Sequence, residues 1–485
     1  MEANEKRMKV AVMVKRNILL STILFIFFYI HPIQAKTFDD AVDQYLGANG
    51  ISVSIRDLET GDILYDRNGD APMKPASTLK LLTAASALHS LGKDFRFKTA
   101  VFVDGKIVDH KLIGDLYFKG SGDPTFQKRN FSQIGDILKL LGVHTIKGNI
   151  YGDDFYFEGE ALSPGVAKED ESYYYASRIS ALTMSPDRDY DAGTMIVHVI
   201  PTSVGMKPRI KFEPNDSGMV FVNEAKTVNA KEKNTIEIIR KYNSNEVVIS
   251  GNIPLGAPHK DWVTLHDPTI NTLIAFKKTL EEEGFAFEGT SIGRKAVPKS
   301  AKLLYTKQSM PLADLVNPFL KLSNNSIADI LVKTMGKKEL GKGDFENGLK
   351  VIREYGKDIG LNMEHWQFED GSGISHKNRT TANELTNLLV KVRKEPFFPI
   401  FFNSLPFGGE KDREIGGSLR ERYLEDHLKN RVIAKTGHIS GVYTLAGYVT
   451  ASSGKMYAFA VMTQNQTKNK IKDIDKAVEA IVEHY

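Results

Sequence analysis

The stretch Lys74-Pro-Ala-Ser77-Thr-Leu-Lys80-Leu-Leu-Thr-Ala-Ala decides the fold predicted for this chain. Pro75 suits the first turn of a helix, and the apolar residues that follow predict a buried helical stripe. At a spacing of three, the side chains of Ser77 and Lys80 lie on one face of that helix. A partly desolvated amine beside a serine hydroxyl can lose its charge and accept the hydroxyl proton, which favours nucleophilic catalysis.

This tetrad is weak on its own, because a helix cap followed by a solvated lysine gives the same pattern. Ser90-Leu-Gly-Lys93 and Ser452-Ser-Gly-Lys455 also match it, although their glycines indicate turns. The tetrad alone therefore leaves both the catalytic and the structural interpretation open.

Two further segments favour catalysis. Ser323-Asn324-Asn325 opens a predicted helix, and Lys435-Thr436-Gly437 precedes an alternating strand pattern at residues 442–449. Alone, a Ser-Asn-Asn is common in turns and a Lys-Thr-Gly at strand ends. Ser-x-x-Lys, Ser-x-Asn and Lys-Thr-Gly in this order, however, form the motif set of penicillin-binding proteins and serine β-lactamases.

The composition excludes several other classes of protein. The chain has no cysteine, which excludes disulfides, thiolate metal sites and a lipid anchor on cysteine. It also lacks His-Glu-x-x-His, a Walker loop, a dinucleotide-binding glycine signature and Gly-x-Ser-x-Gly. No metal or other cofactor is therefore predicted, and an α/β-hydrolase is disfavoured.

The first 35 residues are typical of an export signal. Five Lys or Arg precede an apolar core at residues 18–30, and Ile33-Gln-Ala35 offers a small-residue cleavage site. A membrane anchor is the alternative, but this core is short for a spanning helix. We predict cleavage, no stable membrane span afterwards and a periplasmic or otherwise extracytoplasmic location. The segment carries most of the net charge of +4, which leaves the rest of the chain nearly neutral. No nucleic-acid partner is therefore predicted.

Strands are predicted near both ends of the mature chain. Residues 51–55 and 62–65 form one predicted hairpin, and residues 443–449 and 457–462 form another. A helix over residues 471–483 closes the chain. We expect the two chain ends to meet in a single antiparallel sheet within one domain.

Ser77 and Ser323 are 246 positions apart, far more than one helical connection between two motifs needs. The intervening segment is rich in short strand patterns and turn signals, which predicts a β-rich insertion of one or two domains. The predicted domains are a signal at 1–35, a catalytic domain at 36–97 plus 305–485, an inserted domain at 98–189 plus 264–304, and a nested domain at 190–263.

With these motifs and this insertion, the chain resembles the low-molecular-mass penicillin-binding proteins of the D-alanyl-D-alanine carboxypeptidase/endopeptidase type, the peptidase S13 family. The resemblance covers nearly the whole mature chain and includes Gly120-Ser-Gly-Asp-Pro124, Ile179-Ser-Ala-Leu182 and Asp370-Gly-Ser-Gly-Ile-Ser375. It implies an α+β fold with a transpeptidase domain like that of penicillin-binding proteins and serine β-lactamases.

The chain departs from the family pattern at three places. Pro164-Gly-Val lacks an expected tryptophan, and Tyr175-Ala-Ser-Arg replaces a Gly and a Pro. His438 stands where a serine is more usual. The first two departures concern the substrate contacts of the insertion, and the third leaves the chemistry intact if only the backbone amide of His438 is used.

The resemblance implies roles for the first two motifs. Ser77 is the nucleophile, Lys80 accepts its proton, and Ser323 relays a proton to the departing D-alanine. Asn325 holds the peptide amide of the substrate and orients Lys80. A lysine of ordinary pKa, about 10.4, is protonated at neutral pH, so Lys80 must be desolvated or lie near another cation such as Lys435.

The third motif is implied to bind the substrate. Lys435 and Thr436 hold the terminal carboxylate, and Gly437 lets the strand lie close against the substrate. The backbone amides of Ser77 and His438 form an oxyanion hole, while the imidazole of His438 is a bystander.

Asp153 and Asp154 allow two interpretations. They are either functional carboxylates, for acid–base work or as ligands for a diamino-acid amine of the substrate, or part of a solvated turn after a strand, and the turn is favoured.

The predicted function is a serine D-Ala-D-Ala carboxypeptidase, with D-alanyl cross-link cleavage as a further activity, which acts on peptidoglycan stem peptides and is acylated by β-lactams. A serine β-lactamase is disfavoured by the long insertion. A catalytically silent wall-binding module is disfavoured because binding alone does not require all of Ser77, Lys80, Ser323, Asn325 and Lys435.

Overall fold

The computed structural model describes residues 37–485. The predicted export signal, at residues 1–35, therefore lies outside the described residues. Among the helices that are described, none is long and apolar enough to cross a membrane.

The helices are α1 (Phe38–Tyr45), α2 (Lys80–Leu91), α3 (Lys128–Leu140), α4 (Pro268–Glu282), α5 (Leu312–Lys321), α6 (Asn325–Leu340), α7 (Phe345–Asp358), α8 (Ala382–Val392), α9 (Phe398–Asn403), α10 (Arg413–Gly416) and α11 (Ile471–His484). Short 3-10 helices lie at Ala76–Leu79, Lys168–Asp170, Tyr174–Ala176, Met363–His365 and Gly417–Leu419.

The strands are β1 (Ile51–Asp57), β2 (Ile63–Arg67), β3 (Lys98–Val108), β4 (Lys111–Gly120), β5 (Thr145–Lys147), β6 (Ile150–Asp153), β7 (Thr194–Ile200), β8 (Arg209–Glu213), β9 (Val220–Asn223), β10 (Lys226–Val228), β11 (Glu237–Arg240), β12 (Glu246–Ser250), β13 (Asn252–Pro254), β14 (His259–Thr264), β15 (Ala286–Phe287), β16 (Ile292–Arg294), β17 (Lys302–Gln308), β18 (Val432–Ile439), β19 (Val442–Thr450) and β20 (Met456–Thr463).

A five-stranded sheet joins the two ends of the described chain. Its strand order is β18-β19-β20-β1-β2, and every neighbouring pair is antiparallel. The first strand pairs with the last one along its whole length, with Ile55 opposite Phe459. The predicted hairpins and the predicted meeting of the chain ends are both present.

Strand β20 is buried on both faces because its alternate residues enter two different cores. Ala458, Ala460 and Met462 pack with residues of helices α2, α6 and α8. Phe459 and Val461 pack on the opposite face with residues of α1 and α11. The sheet is therefore the middle layer between two helical layers, and the first of these carries the candidate site.

The segment between the first two motifs has a core of its own. Strands β3, β4, β5, β6, β15, β16 and β17 form its largest sheet. Three small sheets follow, with strand orders β14-β7-β8, β11-β12-β9 and β10-β13. One hydrophobic cluster runs from Val101 on β3 to Val247 and Ile249 on β12 and includes helices α3 and α4.

Two observations bear on the domain boundaries that the sequence predicted. Within the proposed nested piece, residues 190–263, the buried apolar side chains from Met195 to Val263 belong to the same cluster as the rest of the insertion. Strand β17 pairs with β3 up to Gln308, so the predicted boundary at 304/305 cuts through a strand of the inserted sheet. We propose that residues 98–308 form one inserted domain, because a domain has its own core.

Candidate active site

Ser77 and Lys80 lie where a 3-10 turn becomes helix α2. Ser77 is in the turn Ala76–Leu79, and Lys80 is the first residue of α2. The Nζ of Lys80 lies 2.8 Å from the Oγ of Ser77. The side chain of Lys80 is fully buried, at 0% exposure. The spacing of three residues therefore brings hydroxyl and amine together, as the sequence predicted.

The second and third motifs converge on the same place. The Nζ of Lys80 lies 2.6 Å from Oδ1 of Asn325, at the start of α6. On strand β18, Lys435 places its Nζ 2.8 Å from the Oγ of Ser323. Among the hydrogen bonds of the described residues, Lys435 reaches Ser323 and not Ser77. The five polar residues thus form two linked pairs, Ser77–Lys80 and Ser323–Lys435, with Asn325 against Lys80.

The three hydrogen-bond partners of Lys80 fit both an ammonium, which donates to all three, and a neutral amine. Its Nζ contacts Asn325 Oδ1 and the carbonyl oxygen of Ser372, each at 2.6 Å, in addition to Ser77 Oγ. Two of these three groups can only accept, since one is an amide oxygen and the other a backbone carbonyl. A neutral amine donates to both of them and keeps its lone pair for the hydroxyl proton of Ser77.

The charges around Lys80 agree with this geometry. Burial lowers the pKa of Lys80 to about 7, although Asp329 and Asp370 act to raise it. Burial, and then the charge of Lys80, holds the pKa of Lys435 well below its usual range. Burial, one of the two causes that the sequence offered, accounts for the lowered pKa of Lys80, so a neighbouring cation is not required.

Strand β18 presents the third motif beside the Ser77 turn. The Oγ1 of Thr436 lies 2.8 Å from the Oγ of Ser418. A Cβ on Gly437 would lie 2.2 Å from Thr444 Oγ1 and 3.0 Å from the backbone nitrogen of Ser77. The sequence assigned Gly437 to close approach of the substrate. The structure adds a second reason for this glycine, which is the close packing of the Ser77 turn against the strand.

His438 follows directly after the third motif. Its ring stacks on Tyr443, with 4.7 Å between ring centroids and 25° between the planes. Burial lowers the pKa of His438, so the imidazole is neutral at pH 7. No hydrogen bond of its imidazole to another described residue is found, which agrees with its interpretation as a bystander.

The insertion contacts the second motif directly. Asn324, the middle residue of Ser-Asn-Asn, donates to Asp191 Oδ1 at 2.9 Å and to the carbonyl oxygen of Asp189 at 3.0 Å. Asn325 donates to the carbonyl oxygen of Tyr175 at 2.8 Å. The inserted domain therefore holds the loop that carries Ser323 and Asn325. Sequence reasoning did not find these contacts, because nothing local links residues 175–191 to residue 324.

The loop Asp370-Gly-Ser-Gly-Ile-Ser375 is the other part of the site that sequence reasoning missed. Its Ser372 carbonyl accepts from Lys80, and Thr83 donates to the Gly371 carbonyl at 2.7 Å. The sequence offered a signal, since this segment is one that the chain shares with the resembled family.

Asp153 and Asp154 make their hydrogen bonds inside the insertion and do not belong to a solvated turn. Asp153 is buried and accepts from the backbone nitrogen of Val297 at 3.1 Å. Asp154 accepts from Thr269 Oγ1 at 2.6 Å and from Arg294 Nε at 2.7 Å. The favoured interpretation as a solvated turn is wrong, because both carboxylates join strands and helices inside the insertion.

Gly373→Ala is expected to displace the Ser77 turn. Gly373 has a φ of +89°, and an added Cβ would lie 1.9 Å from the carbonyl oxygen of Ala76. We expect the free energy of unfolding to fall by more than about 3 kcal/mol and the rate of acylation by a β-lactam to fall with it. Urea unfolding and stopped-flow acylation measure the two effects.

Gly92→Ala is the matched control for this variant. Gly92 has a similar φ of +85°, but nothing lies within 4 Å of an added Cβ. Only the backbone strain of about 1–3 kcal/mol is therefore expected, with acylation unchanged. Equal effects of the two substitutions would contradict the close packing against Ala76.

This fold and this site define an acyl-transferring serine enzyme of the penicillin-binding class. Its marks are the buried Ser-x-x-Lys pair, the Ser-x-Asn loop and the Lys-Thr-Gly strand of the five-stranded sheet. The chain matches the family described as D-Ala-D-Ala carboxypeptidase 3 (S13) over residues 34–485, and it belongs to that family. The predicted family and its class of enzyme, a D-Ala-D-Ala carboxypeptidase, are thus confirmed.

Individual relatives agree with this assignment. The chain is 33% identical over 419 residues to the D-alanyl-D-alanine carboxypeptidase of Actinomadura sp. strain R39, covering 86% of this chain and 78% of that protein. It is 25% identical to the D-alanyl-D-alanine carboxypeptidase DacB of Haemophilus influenzae, covering 83% of each chain. The crystal structure of penicillin binding protein 4 from H. influenzae superposes with a TM-score of 0.76 at 22% identity, covering 91% of this chain and 97% of that chain. This likeness confirms the predicted α+β fold.

Proposed function

We propose that the protein removes the terminal D-alanine from peptidoglycan stem peptides through an acyl-enzyme on Ser77. The observation that supports this most strongly is the contact of 2.8 Å between Ser77 Oγ and the Nζ of a fully buried Lys80. The two other partners of that amine are acceptors, which leaves its lone pair for the serine proton.

Acylation begins when neutral Lys80 takes the proton of Ser77 while Ser77 Oγ attacks the carbonyl carbon of the penultimate D-alanine. The tetrahedral intermediate then expels the amine of the terminal D-alanine, which must gain a proton. The proton that Lys80 took reaches that amine through Ser323: Ser323 gives its hydroxyl proton to the amine, and Lys80 gives its extra proton to Ser323 and becomes neutral again. Lys435, with its Nζ 2.8 Å from the Oγ of Ser323, holds this hydroxyl in place. Water later attacks the ester with Lys80 as base, which frees the shortened peptide and restores Ser77.

Lys435 and Thr436 bind the free carboxylate of the substrate. Lys435 is fully buried, and its pKa is held well below the usual range. An anionic carboxylate next to this amine favours its charged form. Substrate binding therefore brings a proton to Lys435 and pairs two buried charges, so a substrate without a free C-terminus loses that pairing.

The same site is expected to react with β-lactams, because their strained amide resembles the acyl-D-Ala-D-Ala terminus. The substrate lies outside the cytoplasm, which agrees with the predicted export signal and a periplasmic location. Cleavage of D-alanyl cross-links is a further activity of the same acyl-enzyme chemistry, in which the leaving amine belongs to a neighbouring stem peptide.

Labelling by a fluorescent penicillin, together with release of D-alanine from a pentapeptide, tests this proposal. We expect a stable label on the folded protein and stoichiometric D-alanine release on turnover of the peptide. Rapid nitrocefin turnover without a lasting label would indicate a β-lactamase instead. Binding of muropeptides with neither label nor D-alanine release would indicate a wall-binding module.

Acylation is expected to slow as the pH falls below about 7. The pKa of Lys80 is lowered to about 7 by burial, so below this pH the amine is protonated and its lone pair is taken. The acylation rate should then fall tenfold per pH unit, because the neutral fraction does so. Stopped-flow acylation between pH 5 and 9 measures this fall, the acid limb of the pH–rate profile. A rate independent of pH across this range would contradict Lys80 as the base.

A further inference from the structure

Two buried carboxylates, Asp329 and Asp370, belong to the wall around Lys80. Asp329 is 2% exposed and Asp370 is fully buried. Asp329 lies four residues after Asn325 on α6, so both side chains lie on one face of that helix. Asp370 begins the loop that contains Ser372. Each carboxylate is thus tied to one of the two acceptors of the Lys80 amine.

Hydrogen bonds hold the pair in place. Asp370 accepts from the backbone nitrogen of Gly373 at 2.5 Å and of Ser375 at 2.8 Å, and from Asn378 Nδ2 at 3.1 Å. Asp329 Oδ1 accepts from the backbone nitrogen of Gly371 at 3.1 Å. The loop that offers its Ser372 carbonyl to Lys80 is therefore folded around one carboxylate and tied to the other.

No ion pair among the described residues includes either carboxylate. Two lysines face the pair. Lys80 interacts electrostatically with both carboxylates, and Lys333 lies one turn further along α6. Lys333 Nζ is held by the carbonyl oxygens of Glu158 and Glu160, at 2.9 and 2.6 Å. Asp329 acts on both lysines, whereas Lys80 is the lysine on which both carboxylates act.

Two like charges cannot both be ionised cheaply inside a protein. Burial first, and then Asp370, raises the pKa of Asp329 to about 7, and burial raises the pKa of Asp370 as well. The carboxylates oppose the effect of burial on Lys80, since both act to raise its pKa. The pH at which Lys80 becomes neutral is therefore a balance between burial and this pair.

We infer that Asp329 and Asp370 are positioning residues that set the charge of Lys80 and stabilise the ammonium formed when it takes the Ser77 proton. This inference rests on the proposed role of Lys80 as base. In that step the Ser77 O–H bond breaks and a Lys80 N–H bond forms, while the pair keeps its negative charge. The ammonium then returns the proton to the departing amine through Ser323, so no proton is gained or lost by the pair over the acylation step.

Asp329→Asn tests the inference, because Asn keeps the oxygen that accepts from Gly371 and removes the charge. An ionised Asp329 raises the pKa of Lys80, and Asp329 is partly ionised near pH 7. In Asp329→Asn the acid limb of the acylation rate should therefore move to lower pH, by up to about one unit. Asp329→Glu keeps a carboxylate and should return the limb towards its wild-type position. Asp370 is less suitable for substitution, since two backbone N–H groups depend on it.

The outcomes separate this inference from the proposed function. An unshifted limb in folded Asp329→Asn, judged by circular dichroism and urea unfolding, would overturn the role of Asp329. A wild-type protein that no penicillin acylates would instead overturn the proposed function. If the variant does not fold, infrared spectroscopy of the wild type decides. A protonated-carboxyl band that is present at pH 5.5 and lost by pH 8.5 is expected, and its absence at both pH values overturns the inference.

Discussion

Ser77→Ala is expected to abolish labelling by a fluorescent penicillin and to lower D-alanine release by about a millionfold. The loss is this large because the substitution removes the oxygen on which the proposed acyl-enzyme forms. Among the described contacts, the Oγ of Ser77 bonds only to Lys80 Nζ. Its removal should therefore change the free energy of unfolding by no more than about 1 kcal/mol.

Ser90→Ala is the matched control, because Ser90 belongs to the other Ser-x-x-Lys pattern on the same helix. Its Oγ contacts Glu339 Oε1 at 3.0 Å, outside the site. The control should be labelled like the wild type. Persistent labelling of folded Ser77→Ala, located by mass spectrometry at another residue, would show that a different nucleophile carries the acyl group.

The elements that the sequence predicted well are those with a local cause. The Ser77–Lys80 contact follows from a spacing of three on a helical turn. The terminal hairpins follow from alternating residues around turn signals. The three motifs identified the cleft, because their residue types match a known chemistry even though the chain separates them widely.

What the sequence did not predict depends on contacts between distant segments. Lys80 bonds to Ser372, 292 positions away, and no local pattern in either segment encodes that contact. Asp329 was visible as a residue on a predicted helix, but its effect comes from burial beside Asp370, which only the folded chain creates. The nested domain was predicted from strand patterns alone, and these do not show which core the strands share.

The contacts of Asn324 show why the insertion matters to the site. Ser323, its neighbour, has a φ of +62°, a backbone conformation that non-glycine residues rarely adopt. Asn324 holds this loop by capping α6, with Oδ1 accepting from Ile327 N at 2.9 Å, and by bonding Asp191 and Asp189. The insertion therefore supports the geometry of Ser323, although it contributes none of the three motifs.

Lys80→Met is expected to lower the rate of acylation by about 10³–10⁴-fold. Met is unbranched and of similar length, so it fills the buried space of Lys80 and removes the group that accepts the Ser77 proton. The limb near pH 7 should vanish together with the base, because the remaining slow reaction then depends on no group of that pKa. Stopped-flow acylation from pH 5 to 9 measures both effects.

Lys93→Met tests whether these effects are specific to the buried lysine. Lys93 is the exposed lysine of the neighbouring Ser-x-x-Lys pattern, and its replacement should leave the rate and its pH limb at their wild-type values. Lys80→Met also removes the lysine on which both Asp329 and Asp370 act, so the pair should ionise less readily. The free energy of unfolding should then fall as the pH rises from the unfolded-state pKa of Asp, about 3.9, through the raised pKa of the folded pair. A folded Lys80→Met that keeps the limb near pH 7 would show that another group takes the serine proton. Ser323 and Lys435, which lie 2.8 Å apart, would then be the first pair to replace, because they are the other hydroxyl–amine pair of the site.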